Sequence, residues 1–232
     1  MRRIPKIWPL LLVPCILTSA DDAGWQNKPI AQWDQKDAQQ VLTDSPWAKS
    51  VAPQWVRDLS PDERRMGGDL QAGRSKGVGL EGLIGIFDPA REAEAIERAH
   101  EKPDPGKVLV RWESANPVRA AEQKLGDAAP EIDSDYYAIA VYDILTPKRW
   151  NIENELKGIA FLRRDHKKDF KPARVVILRK DDGLATVVYL FPRSVEIGKR
   201  DGNLTFIAQI GRLFVTQVFF SQNMLIQDRL EL

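Results

Sequence analysis

The stretch ARVVILRKDDGLATVVYLF, Ala173–Phe191, decides the fold. Two runs rich in β-branched and aromatic residues, Ala173–Arg179 and Ala185–Phe191, flank Lys180-Asp181-Asp182-Gly183. Asp and Gly tolerate the backbone that tight turns need, so the spacing predicts an antiparallel hairpin. The pattern recurs downstream, where Leu204–Ile210 and Leu213–Phe220 are separated only by Gly211-Arg212. Upstream, Ile159–Arg163 reads as a further strand. Met224, Ile226, Leu230 and Leu232 follow, spaced by polar neighbours, and predict that the chain ends inside the sheet. From 159 onward the chain therefore reads as one antiparallel meander with helices covering a face, and the fold class as α+β.

Working outward, Val108–Trp112 is a buried-type strand and Asn116-Pro117 opens a helix to about Leu125. Residues 126–135 form a loop, and Tyr136–Ile144 is apolar on both faces. This β-α-β unit is long enough for a crossover, which makes the two strands candidates for parallel neighbours. Pro147–Leu156 reads as one more helical piece. Nearer the start, residues 21–30 read as an unstructured lead-in. Ile30, Trp33, Ala38, Val41 and Leu42 then recur at helical spacing, with Asp34 as N-cap and Ser45-Pro46 as the stop. Ser60-Pro61-Asp62-Glu63 carries a capping box and opens a short helix that Gly67-Gly68 ends. Residues 67–82 read as a Gly-rich loop, Leu83–Phe87 as a short strand and Ala90–Glu101 as a helix. The expected division is a leader over 1–20, a helical and Gly-rich region over 21–106 and an α+β domain over 107–232, with 31–106 open to belonging to the same domain.

The leader is read from charge and length. Arg2, Arg3 and Lys6 precede the mostly apolar run Ile7–Leu17, and Thr18-Ser19-Ala20 supplies small residues before Asp21-Asp22. That order is a secretory signal peptide, and the run is shorter than the roughly 20 residues a membrane-spanning helix needs. Cys15, the only cysteine, offers a rival reading as a lipidated anchor, against which Pro14 counts. Arg2-Arg3 lacks the context of a twin-arginine signal. Cleavage after Ala20 removes Cys15, so no disulfide, thiolate nucleophile or cysteine metal site is expected. It also turns the net charge of +1 into −2, with 31 basic and 33 acidic residues left. A nearly neutral chain has no global field to draw nucleic acid.

Trp33-Asp34 with Asp37-Ala38, Val41 to Ala48, Val110 to Ala115 with Pro117-Val118, Phe191-Pro192-Arg193 and Leu230-Glu231-Leu232 resemble a group of uncharacterised exported bacterial proteins with no established activity. The resemblance implies a secreted domain and carries over no functional residue.

The chemical motifs are thin. Gly77-Val78-Gly79-Leu80-Glu81-Gly82 matches the dinucleotide fingerprint, but a polar loop precedes it and Leu83-Ile84-Gly85-Ile86 follows where a helix should start. His100 and His166 lack the convergent partners a metal needs. Neither cofactor nor metal is expected. Arg163–Lys180 holds eight basic residues against Asp165 and Asp169, which fits a solvated hairpin or an anionic envelope partner. Glu113, in Trp112-Glu113-Ser114 at a strand-to-helix junction, is a candidate site residue with Arg111 or Arg119 as charge partner. Trp47, Trp55 and Trp112 are core candidates. Asn203-Leu204-Thr205 fits a glycosylation acceptor, which carries little weight at a strand start. Two expectations result. The first is a non-catalytic envelope module that binds an unknown protein or envelope polymer, with no nucleic-acid partner and no transmembrane anchor. The alternative is a secreted hydrolase built from scattered carboxylates such as Glu113 in a cleft with perturbed pKa values; no catalytic residue is assigned.

Overall fold

The computed structural model describes residues 24–57, 59–67, 105–127, 129–145, 152–165 and 167–232. The leader over 1–20, the Gly-x-Gly motif, the strand over 83–87, the helix over 90–101 and both histidines lie outside the described residues. Among those described, no helix is long and apolar enough to cross a membrane.

The chain is α+β, and every strand pair among the described residues is antiparallel. Helix α1 (Gln35–Thr43) starts at a capping box of Asp34 and Asp37, and α2 (Pro61–Met66) at one of Ser60 and Glu63. Gly67 ends α2 with φ 94°, a conformation that favours glycine. Helices α3 (Asn116–Leu125) and α4 (Glu153–Gly158) follow. The strands are β1 (Ala48–Val51), β2 (Gln54–Trp55), β3 (Val108–Trp112), β4 (Tyr136–Leu145), β5 (Ala160–Arg164) and β6 (Arg174–Arg179). After them come β7 (Leu184–Pro192), β8 (Asn203–Ile210), β9 (Leu213–Phe220), β10 (Leu225–Ile226) and β11 (Arg229–Leu230).

Both predicted hairpins form, β6–β7 around Asp181-Asp182-Gly183 and β8–β9 around Gly211-Arg212. They belong to two different sheets. The first sheet has the order β1-β3-β4-β7-β6 and the second β2-β9-β8-β5. Alternation divides the residues of the first sheet: Val110, Trp112, Ile139, Val141, Tyr189 and Phe191 point into the main core. There they meet Leu162, Phe206, Val215 and Phe219 of the second sheet. Trp112 packs edge-on against Phe219 at 5.3 Å, and Tyr189 against Phe206 at 5.2 Å. Ala138, Ala140, Val188 and Leu190 form a small cluster on the opposite face of the first sheet.

Four expectations are corrected. Strands β3 and β4 are adjacent but antiparallel, with Trp112 opposite Ile139. A helix of α3's length advances the chain about 15 Å, and the loop over 126–135 carries it back, so connection length alone did not fix the direction. Residues 24–32 are ordered as two 3-10 turns, and Trp25 is buried between Trp33 and Trp47. Trp55 is 38% exposed because it lies on the edge strand β2, whereas Trp47 and Trp112 are fully buried. The chain ends in a separate ribbon, β10–β11, rather than inside either large sheet. Gln227 and Asp228 both have positive φ, 48° and 60°, the requirement of a two-residue hairpin turn.

Candidate functional site

Glu113 lies one residue beyond β3, and its backbone N–H donates to the Ala138 carbonyl at 2.8 Å. Its side chain is wholly buried, which requires a partner for the charge. Arg111, two residues earlier on the same face, supplies it: Nε donates to Glu113 Oε1 at 2.5 Å and Nη2 to Oε2 at 3.3 Å. The same guanidinium donates to Glu122 Oε1 on α3 at 2.7 Å and lies 4.5 Å from the centre of the Tyr142 ring. The Tyr142 hydroxyl donates to Glu113 Oε1 at 2.5 Å. Arg119, the other predicted partner, reaches Glu122 at 3.5 Å and the Pro130 carbonyl at 2.9 Å instead.

Two carboxyls share one buried guanidinium here, so one of them is driven towards its neutral form. Burial, and then the charge of Glu113, push the Glu122 carboxyl up to about 8. Burial also pushes the Tyr142 hydroxyl upward, with Glu113 adding to it. In composition this is an acid–base pair, but Glu113 and Glu122 are 0% and 1% exposed. Of the cluster, Tyr142 reaches the surface, lining a groove of about 720 Å³ over the outer face of the first sheet. The arrangement fastens α3 and its return loop to β3 and β4, and offers no open carboxylate to a substrate.

The basic run over 163–180 is largely absorbed by the fold. Arg164 and Lys167 both pair with the buried Asp201, Arg163 reaches Asp169 at 3.4 Å, and Lys180 reaches Asp143 at 2.9 Å. Lys171 donates to the Gly158 carbonyl at 3.1 Å and lies over the Phe161 ring. Asn203 opens β8, as its position in the sequence implies.

A second concavity is one that the sequence did not disclose. It is a cleft of about 930 Å³ between the N-terminal 3-10 turn, the start of α3 and the β10–β11 ribbon. Trp25, 3% exposed, contributes to its lining, and its Nε1–H has no acceptor among the described residues. Trp47 ties the ribbon to this corner, donating through Nε1 to the Glu231 carbonyl at 2.7 Å. The walls carry Gln26, Asn27, Gln222, Asn223 and Gln227, all exposed, and none makes a side-chain hydrogen bond among the described residues. Asn116 is held differently, donating to Glu231 Oε2 at 2.5 Å. The ions at the rim are compensated internally: Lys28 pairs with Asp37 at 2.6 Å and Arg229 with Glu231 at 2.5 Å. The hydrogen bond to Asp37 raises Lys28 above its ordinary value, and the one from Lys28 lowers Asp37. A smaller cavity of about 390 Å³ adjoins this cleft and shares Trp25, Gln26, Pro46 and Asn223 with it.

Comparison with protein families, with curated proteins and with solved structures finds no match for this chain.

Proposed function

We propose that the chain is an exported, non-catalytic binding module of the cell envelope, and that the cleft at Trp25 holds its partner, an envelope polymer or protein. The observation that carries this reading is the set of five carboxamides with open hydrogen-bonding capacity around one large concavity. Exposed carboxamides that converge on a cleft are equipped to orient a ligand, since each carries two donors and an acceptor. Export is supported by the basic flank, apolar run and small-residue site over Arg2–Ala20. A hydrolytic role is disfavoured because the paired carboxyls of Glu113 and Glu122 are closed off from solvent.

Co-sedimentation with isolated envelope material tests the proposal. The wild-type chain is expected to sediment with the envelope, and the double variant Gln222→Ala/Asn223→Ala to lose most of that binding, about tenfold or more. Both positions are exposed, so the thermal midpoint of the variant should stay unchanged. Equal sedimentation of wild type and variant refutes the cleft as the binding seat.

A further inference from the structure

We infer that the ligand of this cleft is an uncharged polyhydroxylated chain, a glycan strand several sugar rings long. The inference rests on the binding-module reading above and adds the chemistry of what is bound.

The first argument is the matching of functional groups. A sugar hydroxyl both donates and accepts, and neighbouring hydroxyls on one ring form a rigid pair. A planar carboxamide answers such a pair with an N–H donor and a carbonyl acceptor from one side chain. Gln26, Asn27, Gln222, Asn223 and Gln227 present five such planes, none of them engaged among the described residues.

The second argument is charge. Lys28 and Arg229 are each neutralised by a carboxylate within the fold, at 2.6 and 2.5 Å. An ionic ligand would have to compete with those pairs, whereas a neutral one leaves them in place. Nucleic acid or an acidic peptide would need uncompensated cations along the cleft, and these ions are already paired.

The third argument is shape. The two cavities, of about 930 and 390 Å³, share Trp25, Gln26, Pro46 and Asn223 in their walls, and so offer adjoining space to a ligand longer than one ring. Phe220, which lines the smaller cavity and not the larger, is 52% exposed, an aromatic surface on which the apolar face of a sugar ring can rest. Trp25, common to both cavities, has a buried N–H without an acceptor among the described residues.

The test is titration calorimetry of the full chain with linear neutral oligosaccharides of about two to six units. Glucose oligomers and N-acetylglucosamine oligomers are the two probes, and an anionic oligosaccharide and an acidic peptide are the controls. At least one neutral series is expected to bind, more tightly as it lengthens, and with no dependence on salt. Gln222→Ala/Asn223→Ala should weaken every member about tenfold, and Phe220→Ala only the longer ones. Failure of all neutral oligomers, while the double variant still loses envelope sedimentation, overturns the glycan inference and leaves the binding reading standing. Salt-dependent binding of the anionic control or the peptide alone overturns it as well. If the double variant also keeps its envelope binding, both readings fall.

Discussion

Replacing Glu122 by glutamine isolates a buried carboxyl that burial and a neighbouring charge push up towards neutral pH. The carboxyl is raised from 4.5 to about 8, with burial as the larger cause and the Glu113 charge next. Between those values the folded chain keeps a proton that the unfolded chain releases. The contribution is therefore fully present below about pH 4.5 and is lost as pH rises through 8. Linkage sets the slope at up to about 1.4 kcal/mol per pH unit, on the order of 5 kcal/mol across the window. That is a large share of the roughly 5–15 kcal/mol that holds a typical domain together. Asp37, Glu63 and Asp201 are shifted downward, Glu63 to about 2. Their contributions have the opposite sign and disappear only in strong acid. In the Glu122→Gln variant the side-chain amide keeps an acceptor for Arg111 and the titration is lost. Urea unfolding at intervals from about pH 5 to 8.5 should show wild type weakening relative to Glu122→Gln, with the midpoints diverging by on the order of 1 M. A second variant, Glu113→Gln, removes the neighbouring charge, leaves Glu122 as the counterion of Arg111 and moves the window to lower pH. Parallel wild-type and Glu122→Gln profiles would refute the assignment of a neutral Glu122 in the folded chain.

Two further outcomes probe how the cleft corner and the α2–α4 contact are held. A Cβ at Gly158 would stand 2.2 Å from the Arg64 carbonyl oxygen, a backbone atom with little freedom to move. Gly158→Ala should therefore cost about 1–3 kcal/mol in a thermal melt, and an unchanged midpoint contradicts the packing of α2 on α4. Trp47→Phe leaves the Glu231 carbonyl without its 2.7 Å donor and opens space beside Trp25. It should cost about 2–3 kcal/mol in urea unfolding and speed amide exchange at Glu231; unchanged exchange there contradicts the anchoring of the ribbon by Trp47.

What the sequence disclosed follows the range of the interactions involved. Lys180 to Gly183 and Gly211-Arg212 specify hairpins because the residues that turn the chain adjoin those that pair. The capping boxes at Asp34 and Ser60 are equally local. The division into two sheets rests on pairings such as Ala48 with Arg111 and Gln54 with Phe214, which no local period announces. The cleft is a stronger case of the same limit. Gln26, Gln222 and Asn223 are ordinary surface residues in their own segments, and only the tertiary fold brings them to one concavity.

The buried cluster marks the boundary between demand and supply. Glu113 follows the apolar strand VLVRW, and its need for a charge partner was legible from that position, with Arg111 and Arg119 both in reach by spacing; the tertiary fold selects Arg111. Glu122 carried a signal too: it lies four residues after Val118 and next to Ala121, on the stripe that α3 buries. Helical phase alone thus implies a buried carboxyl there. Trp25 makes the same point, since a residue of its size in a polar stretch calls for a place to pack. A sequence states that such a group must be accommodated, and the apolar phase around it says on which face. Which group accommodates it is set by strand register and helix crossing, here the placement of α3 against β3 and β4 that brings Glu122 to the guanidinium Glu113 already occupies. Burial first, and then the charge of Glu113 on the shared guanidinium, push the Glu122 carboxyl upward, so its chemical state is a property of the tertiary arrangement rather than of the segment that carries it.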